Sequence, residues 1–369
     1  MNEAQEITHE TPYISIDATV MRANIARMAE LARARGVTLR PHIKTHKIPA
    51  FALEQLQAGA VGITVAKPAE AEVMAEAGIR DIFIAYPVVV PSKIDRVLAL
   101  ARNIELAVGV DSAAGAALLS KRAAAAGMTL QVRLELDTGL RRTGAQLHEA
   151  VELGRTIALM PGLELSGIFT FKGAVLRQQA TLDVAAAGKE EGELMVQAAE
   201  RLRAAGVGIR HVSVGSTPTA AAAAAVPGVT EVRPGTYIFN DRMLERMGVC
   251  SADDWAARVR VTVVSVPAPN RAVVDGGSKT FATDVQPGNP PLNLEGFGAI
   301  LGHPDAVLEK MNEEHGMIRS AAPHGWSVGD TLDIVPNHIC STVNLHNAVW
   351  LREPGGDRRI AVAARGMLS

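Results

Sequence analysis

Two histidines and two lysines crowd into RPHIKTHK, residues 40–47, directly after an apolar, β-branched run. If the backbone is extended here, His42, Lys44 and His46 turn to one side. A lysine buried at such a strand end loses hydration, so its pKa falls and the neutral amine becomes a nucleophile. Lys47, read as the start of the next helix, is expected to stay solvated; a solvated basic loop is the plain alternative for the whole stretch. A second constellation lies in GSTPT (215–219) and RPGTY (233–237). Glycine and small hydroxyl residues in such turns free backbone N–H groups to converge on an anion. Taken singly, each is as well explained as a tight turn.

The elements that must position these groups alternate regularly. Short β-rich runs begin at VTLRPHI (37–43), VGITVA (61–66), DIFIAYPVV (81–89) and IELAVGVD (104–111). LQVRLELD (130–137), LELSGIFTF (163–171), HVSVGS (211–216) and VTEVRPGTYIF (229–239) follow. Between most of them lie helical patterns such as PAEAEVMAEAG (68–78) and EEGELMVQAAERLRAAG (190–206), each closing on a glycine. Roughly eight β/α units in about 220 residues suit a closed (β/α)8 TIM-type barrel. A doubly wound open sheet is the alternative, but no GxGxxG follows the first strand. From about residue 258 the pattern changes to short strands with Gly, Pro, Asn and Asp turns, a smaller β-domain whose one helical stretch is expected around 304–312. The expected division is a barrel over 20–245, with 1–19 and 246–369 forming the β-domain, so that TPYISID (11–17) joins the latter.

Barrels of this kind keep their chemistry at the C-terminal ends of the strands. There the first strand offers Lys44, the fifth runs into DTGLRRTG with Arg141 and Arg142, and the sixth ends in Thr170, Phe171 and Lys172. The seventh and eighth supply the two Gly/Ser/Thr turns. A nucleophilic lysine opposite a phosphate cradle suits pyridoxal phosphate held as a Schiff base. A phosphosugar aldolase without cofactor would use the same two features.

Composition narrows the field. The 369 residues carry a formal net charge of −2, which argues against nucleic acid as a partner. No apolar run reaches the length of about 18 residues that a membrane span needs. The acidic N-terminus, MNEAQEITHETPY, is unlike a signal peptide. Two cysteines, Cys250 and Cys340, are too few for a disulfide framework, and a reducing cytoplasm is expected.

TPYISID, RPHIKTHK, GITVAKPAEAE, GSTPT, EVRPGTYIFND, NEEHG and PNHICSTVNLHN fall in order along nearly the whole chain. Together they resemble the D-threonine aldolase and D-serine dehydratase family, fold-type III pyridoxal-phosphate enzymes with an alanine-racemase-like barrel and a C-terminal β-domain. The resemblance implies that Lys44 carries the Schiff base, that Arg142 lies close to the cofactor ring, and that Gly215, Ser216, Thr217, Gly235, Thr236 and Tyr237 bind the phosphate. It makes His338 and Cys340 a metal pair. A His-x-Cys in a strand would put both side chains on one face, and imidazole with thiolate suits zinc, manganese or magnesium being the alternatives. Cys250 reads as core.

The implied activity is cleavage of a small-molecule D-β-hydroxy-α-amino acid to glycine and an aldehyde. Dehydration of D-serine or 3-hydroxyaspartate to a keto acid and ammonia is the alternative. An amino-acid racemase, with the metal pair idle, and a non-catalytic pyridoxal-phosphate carrier are further readings. A homodimer is expected by the same resemblance. One departure stands out: relatives carry histidine after the sixth strand, whereas this chain reads TFKGAVL (170–176). Lys172, His46 and His315 become candidate bases.

Overall fold

Short Val-, Ile- and Leu-rich runs with no polar alternation favour strands buried on both faces, and that is the use the chain makes of them. In a computed structural model residues 9–369 are described; the stretch MNEAQEIT lies outside them. Parallel strands form over Thr38–Leu39, Ile63–Val65, Asp81–Pro87, Glu105–Val110, Leu130–Asp137, Leu163–Phe169, His211–Val214 and Glu231–Val232. Each pairs with its successor from the second strand to the eighth, and the eighth pairs with the first through Thr38↔Glu231. A bridge between His42 and Thr64, with Thr64 N–H donating to Pro41 O over 2.7 Å, joins the first strand to the second and closes the ring. This is the (β/α)8 barrel that the alternation predicts. Helices over Pro68–Glu76 and Val184–Ala204 occupy the two segments singled out above; Gly78 (φ +94°) and Gly206 (φ +83°) end them in the left-handed region where a side chain strains.

The chain separates into two compact units, one over Ile25–Gly235 with Gly366–Ser369, the other running through Asn24 and over Thr236–Arg365. In the second, Ala257–Ala268, Arg271–Val274, Gly316–Ser320, Ala306–Met311, Gly298–Ile300 and Thr331–Pro336 pair antiparallel in that order, and the last returns to the first. Tyr13–Asp17 pairs antiparallel with Ala257–Ala268 and parallel with Ala348–Glu353. The helix expected near 304–312 is instead a strand, Ala306–Met311, in a hairpin with Gly316–Ser320. Its Ala306 and Leu308 turn inward while Val307 and Glu309 are half-buried, a period of two that a helix cannot satisfy.

The barrel interior is unusually polar. Glu231 of the eighth strand accepts from Arg40 Nε (2.8 Å), Arg133 Nη1 (2.5 Å) and the Ser213 hydroxyl. Arg40 also grips both carboxylate oxygens of Asp81, at 2.6 and 3.0 Å. Burial works against a charge at Glu231, yet Arg133 and Arg40 hold its carboxyl far below the usual carboxylate range. Phe83 and Phe169 meet edge to face at 4.9 Å and pack under the guanidiniums of Arg133 and Arg233. Removing one member of such a network strands the others in low dielectric at a cost of about 3–5 kcal/mol. We therefore expect Glu231→Gln to lower the melting temperature by roughly 10 °C, with Glu164→Gln, half-exposed on the strand-six edge, as the near-neutral control.

Candidate active site

The turn that carries Lys44 is not extended. The first strand stops at Leu39, and Ile43–Thr45 form a single 3-10 turn. His42 caps it, its Nδ1 accepting from the Lys44 N–H at 3.3 Å. His42 and His46 therefore do not join Lys44 on one side. His46 is fully buried, with Nδ1 accepting from Ile48 N–H (3.0 Å) and Nε2 facing Gln55 Oε1 (3.2 Å). Burial pushes its imidazole down to about 4, so it is neutral and structural. Lys47 departs from expectation too. It is buried, sits at φ +56°, and pairs with buried Glu70 at 3.1 Å, while the helix starts only at Pro49.

Lys44 Nζ lies over the Phe171 ring, 4.9 Å from its centroid, and the Arg142 guanidinium lies 4.8 Å from the same centroid. Phe171 thus gathers the strand-one lysine and the strand-five arginine around one aromatic face. Arg142 also reaches to 3.9 Å from buried Glu135. Lys172, the neighbouring candidate base, turns the other way: it is fully buried and paired with Glu190, whose carboxylate also accepts from Arg177 N–H. Burial opposes the charge on Glu190, but the Lys172 amine holds it below its ordinary value. His315 sits exposed in the 312–315 hairpin turn of the β-rich unit.

The two Gly/Ser/Thr turns of the barrel unit meet through Gly235 N–H, which donates to Thr217 Oγ1 at 3.2 Å. Gly215 is left-handed at φ +85°. A Cβ at Gly235 would lie 2.8 Å from His42 O and 3.0 Å from Thr45 Oγ1. The backbones of the eighth and first strand ends therefore touch at a place only glycine allows. Sequence reading missed Glu191, a fully buried carboxyl that accepts from Gly215 N–H (3.1 Å) and the Thr219 hydroxyl (3.0 Å). It also missed Arg233, buried with Nη1 2.5 Å from Ser213 Oγ and pushed down to about 10 by burial. The signal for both was a charge inside or against an apolar run, which demands a partner. An amine over an aromatic ring, whose turn is met by a Gly/Ser/Thr turn with left-handed Gly215 and close-packed Gly235, is a set of residue types that fits pyridoxal phosphate.

Thr236 and Tyr237 follow in a 3-10 turn that belongs to the β-rich unit. There Thr236 Oγ1 lies 3.3 Å from Cys340 Sγ. His338 and Cys340 do not share a strand. The strand ends at Pro336, His338 is the extended N-cap residue of the helix Ile339–Leu345, and Cys340 lies in its first turn. The helix starts here because the Asp241 carboxylate, itself pushed up to about 6 by burial, accepts from Ile339 N–H. The imidazole and thiol still come within hydrogen-bonding reach. Burial disfavours a charged His338, but its electrostatic and hydrogen-bond contacts with Cys340 and Asp284 hold its imidazole well above the ordinary value. Asp284 Oδ2 lies 2.6 Å from His338 Nδ1, which leaves Nε2 as the nitrogen for a metal. Among the described residues no group of three or more His, Cys, Asp or Glu is placed so that it could hold a metal ion, so His338 and Cys340 stand as a pair. Cys250 is half-buried, its thiol pushed up to about 12 by burial.

Residues 16–243 match the family model of the alanine racemase N-terminal domain, and 256–351 match that of a putative serine dehydratase domain. The chain is 36% identical to D-threo-3-hydroxyaspartate dehydratase of Delftia sp. (strain HT23), over 91% of this chain and 92% of the relative. It belongs to the D-threonine aldolase and D-serine dehydratase family of fold-type III pyridoxal-phosphate enzymes. A D-threonine aldolase of Arthrobacter sp. is 32% identical over 97% of this chain and 93% of its own. A solved cysteine-to-alanine mutant of D-threo-3-hydroxyaspartate dehydratase, in metal-free form, superposes with a TM-score of 0.88 at 36% identity, covering 96% of this chain and 97% of that one. Members of this family are lyases built on a pyridoxal-phosphate fold.

The buried histidine gives a pH signature. An imidazole near 6.5 when unfolded and about 4 when folded binds its proton more weakly in the native state. Its contribution is whole above pH 6.5 and is lost as pH falls from there to about 4, up to about 3 kcal/mol. We expect His46→Gln to flatten the melting temperature against pH across that window.

Proposed function

We propose that the chain is a pyridoxal-phosphate- and divalent-metal-dependent lyase of D-β-hydroxy-α-amino acids, and that its reaction is dehydration to a keto acid and ammonia. The observation that carries the cofactor is the Lys44 amine on the Phe171 face, with Arg142 on the same ring. Pyridoxal phosphate, when bound, supplies an aldehyde that condenses with amines and a ring that accepts the electrons of a bond broken at Cα. Lys44 Nζ would hold that aldehyde at rest and take the Cα proton during turnover. Gly215–Thr217 and Gly235 onward would hold the phosphate, with Thr236 and Tyr237 completing the turn. The Phe171 ring and Arg142 would fix the ring's plane.

His338 Nε2 and Cys340 Sγ would hold the metal, whose Lewis acidity eases loss of a β-hydroxyl. Imidazole plus thiolate favours zinc, and manganese or magnesium are alternatives. Dehydration is supported by the 36% identical relative, a D-threo-3-hydroxyaspartate dehydratase. Aldol cleavage to glycine and an aldehyde is the second reading, supported by the D-threonine aldolase relative and by STVNLHN after the metal pair. The same reading makes the enzyme a cytoplasmic homodimer acting on a free amino acid. It rests on a reducing environment for the free thiols and on family likeness; no described helix is long and apolar enough to cross a membrane.

Two measurements test this. Purified protein given pyridoxal phosphate should show the yellow imine absorbance, and Lys44→Ala should abolish both absorbance and turnover. A chelator, or Cys340→Ala, should cut turnover of D-3-hydroxyaspartate, D-serine and D-threonine by at least about a hundredfold while the imine absorbance stays. Keto acid with ammonia means dehydration; aldehyde with glycine means aldol cleavage; D/L interconversion without either sinks the lyase reading.

A further inference from the structure

Beside the Lys44 site the barrel unit contains a cavity of about 880 Å³, between the loop after strand five and the loop after strand six. Arg141, Arg142, Arg177 and Arg201 line it, with His148 and Gln178. Four guanidiniums at one cavity call for an explanation, because like charges repel and are usually answered by carboxylates. Here they are not. Among the described residues Arg141, Arg177 and Arg201 form no salt bridge, and Arg142 reaches Glu135 only at 3.9 Å. Two carboxylates do stand on the wall, but both are engaged. Asp137 accepts from the backbone N–H groups of Gly139 (2.9 Å) and Arg141 (3.0 Å). Glu190 is paired with buried Lys172 and also attracts Arg177 across space.

The backbone points the same way. Six non-glycine residues among those described have positive φ, and three of them, Arg141 (+59°), Arg177 (+48°) and Gln178 (+66°), line this cavity. Such conformations cost about 1–3 kcal/mol each and persist where the surroundings hold them. Glu190 supplies that hold by accepting from Arg177 N–H, and the Arg141 guanidinium donates to Gln178 Oε1, stitching the two loops together. Arg177 and Gln178 form the two-residue turn between the paired strands Val175–Leu176 and Gln179–Ala180, where positive φ is required, and with Arg141 they are exposed. That turn and the loop of Arg141 and Arg142 carry three of the arginines to the cavity wall, and the helix Val184–Ala204 carries Arg201.

We propose that this cavity is an anion-binding site for a carboxylate- or phosphate-bearing small molecule, with Arg141, Arg177 and Arg201 as its ligand-binding cations. Guanidinium pairs bind carboxylate and phosphate oxygens through two parallel N–H donors, a geometry ammonium cannot give. The anion has two possible sources: a distal carboxylate on the substrate, or a separate anion that binds alongside it. The first source rests on the lyase reading above, and it draws on Arg142, which both lines the cavity and lies over the Phe171 ring that Lys44 touches. The second stands without that reading.

The test uses the holoenzyme at low ionic strength, where exposed cations are least screened. Succinate and inorganic phosphate are titrated calorimetrically into wild type, Arg177→Gln with Arg201→Gln, and Arg201→Lys. kcat/KM is measured in parallel for D-3-hydroxyaspartate and D-threonine. Saturable anion binding in wild type, weakened about tenfold for each charge-assisted hydrogen bond lost, is the expected result. Arg201→Lys, which keeps the charge, should fall between, and unchanged melting temperatures show that the variants fold. A substrate-borne anion appears as a loss of at least about tenfold in kcat/KM for the acidic substrate alone. A separate anion appears as lost succinate or phosphate binding while both substrates are affected equally. No saturable anion binding in wild type, together with equal selectivity in the double variant, overturns the proposal. If the imine absorbance never forms but the anion still binds, only the lyase reading falls.

Discussion

The backbone of Gly235 approaches the turn that carries Lys44 so closely that a single added carbon would stand 2.8 Å from His42 O. That approach fixes where the eighth strand hands over to its loop, and it presses the 42–45 segment into a 3-10 turn. Lys44 then leaves the turn toward Phe171, instead of continuing the alternation of a strand. Gly235 N–H meets Thr217 Oγ1 from the other side, so one glycine joins the amine's turn to the small-residue turn of strand seven. The geometry of the cofactor site depends on this contact between backbones more than on any pair of side chains.

A barrel normally fills its interior with branched apolar side chains. Here three strands bring Arg40, Arg133 and Glu231 together, Ser213 and Asp81 complete the hydrogen bonds, and Arg233 joins the set by donating to the same Ser213 hydroxyl. A buried charged set of this kind contributes little net stability compared with an apolar core, but it is intolerant of partial removal. It also places positive potential near the strand ends: His42 is driven well below its ordinary value first by burial and then by Lys44, Arg233 and Arg142. A neutral His42 whose Nδ1 already accepts from Lys44 N–H carries its proton on Nε2, so it orients the turn and does not accept protons.

The eight β/α units were legible because the apolar runs are short, unbroken and spaced by helical periods. Lys44 and the Gly/Ser/Thr turns could be singled out from residue types alone, while the roles given to them came from the family resemblance. What could not be read was local backbone set by distant partners. The 40–47 stretch looks extended by pattern but is bent by Gly235, which lies almost two hundred residues on. His338 and Cys340 look like strand neighbours until Asp241 caps the helix at Ile339. Ala306–Met311 carries few residues and several charges, so its period of two was hidden until its hairpin partner appeared. Lys172 looked like a base because it follows Phe171; its burial against Glu190 depends on a helix that the sequence shows only as a pattern.

That last point bears on the chemistry. Relatives place histidine after the sixth strand, and this chain puts Phe171 there, which has no atom to accept a proton. Lys172 is committed to Glu190, His46 to Ile48 and Gln55, and His42 to its own turn. Lys44, which was not among the candidate bases, has its Nζ over the Phe171 ring. With pyridoxal phosphate bound, Lys44 would hold its aldehyde at rest, and the freed amine would be placed to take a Cα proton. One group serving in turn as anchor and as base would need no second base on that face, and Phe171 supplies an apolar ring against which the Lys44 amine rests.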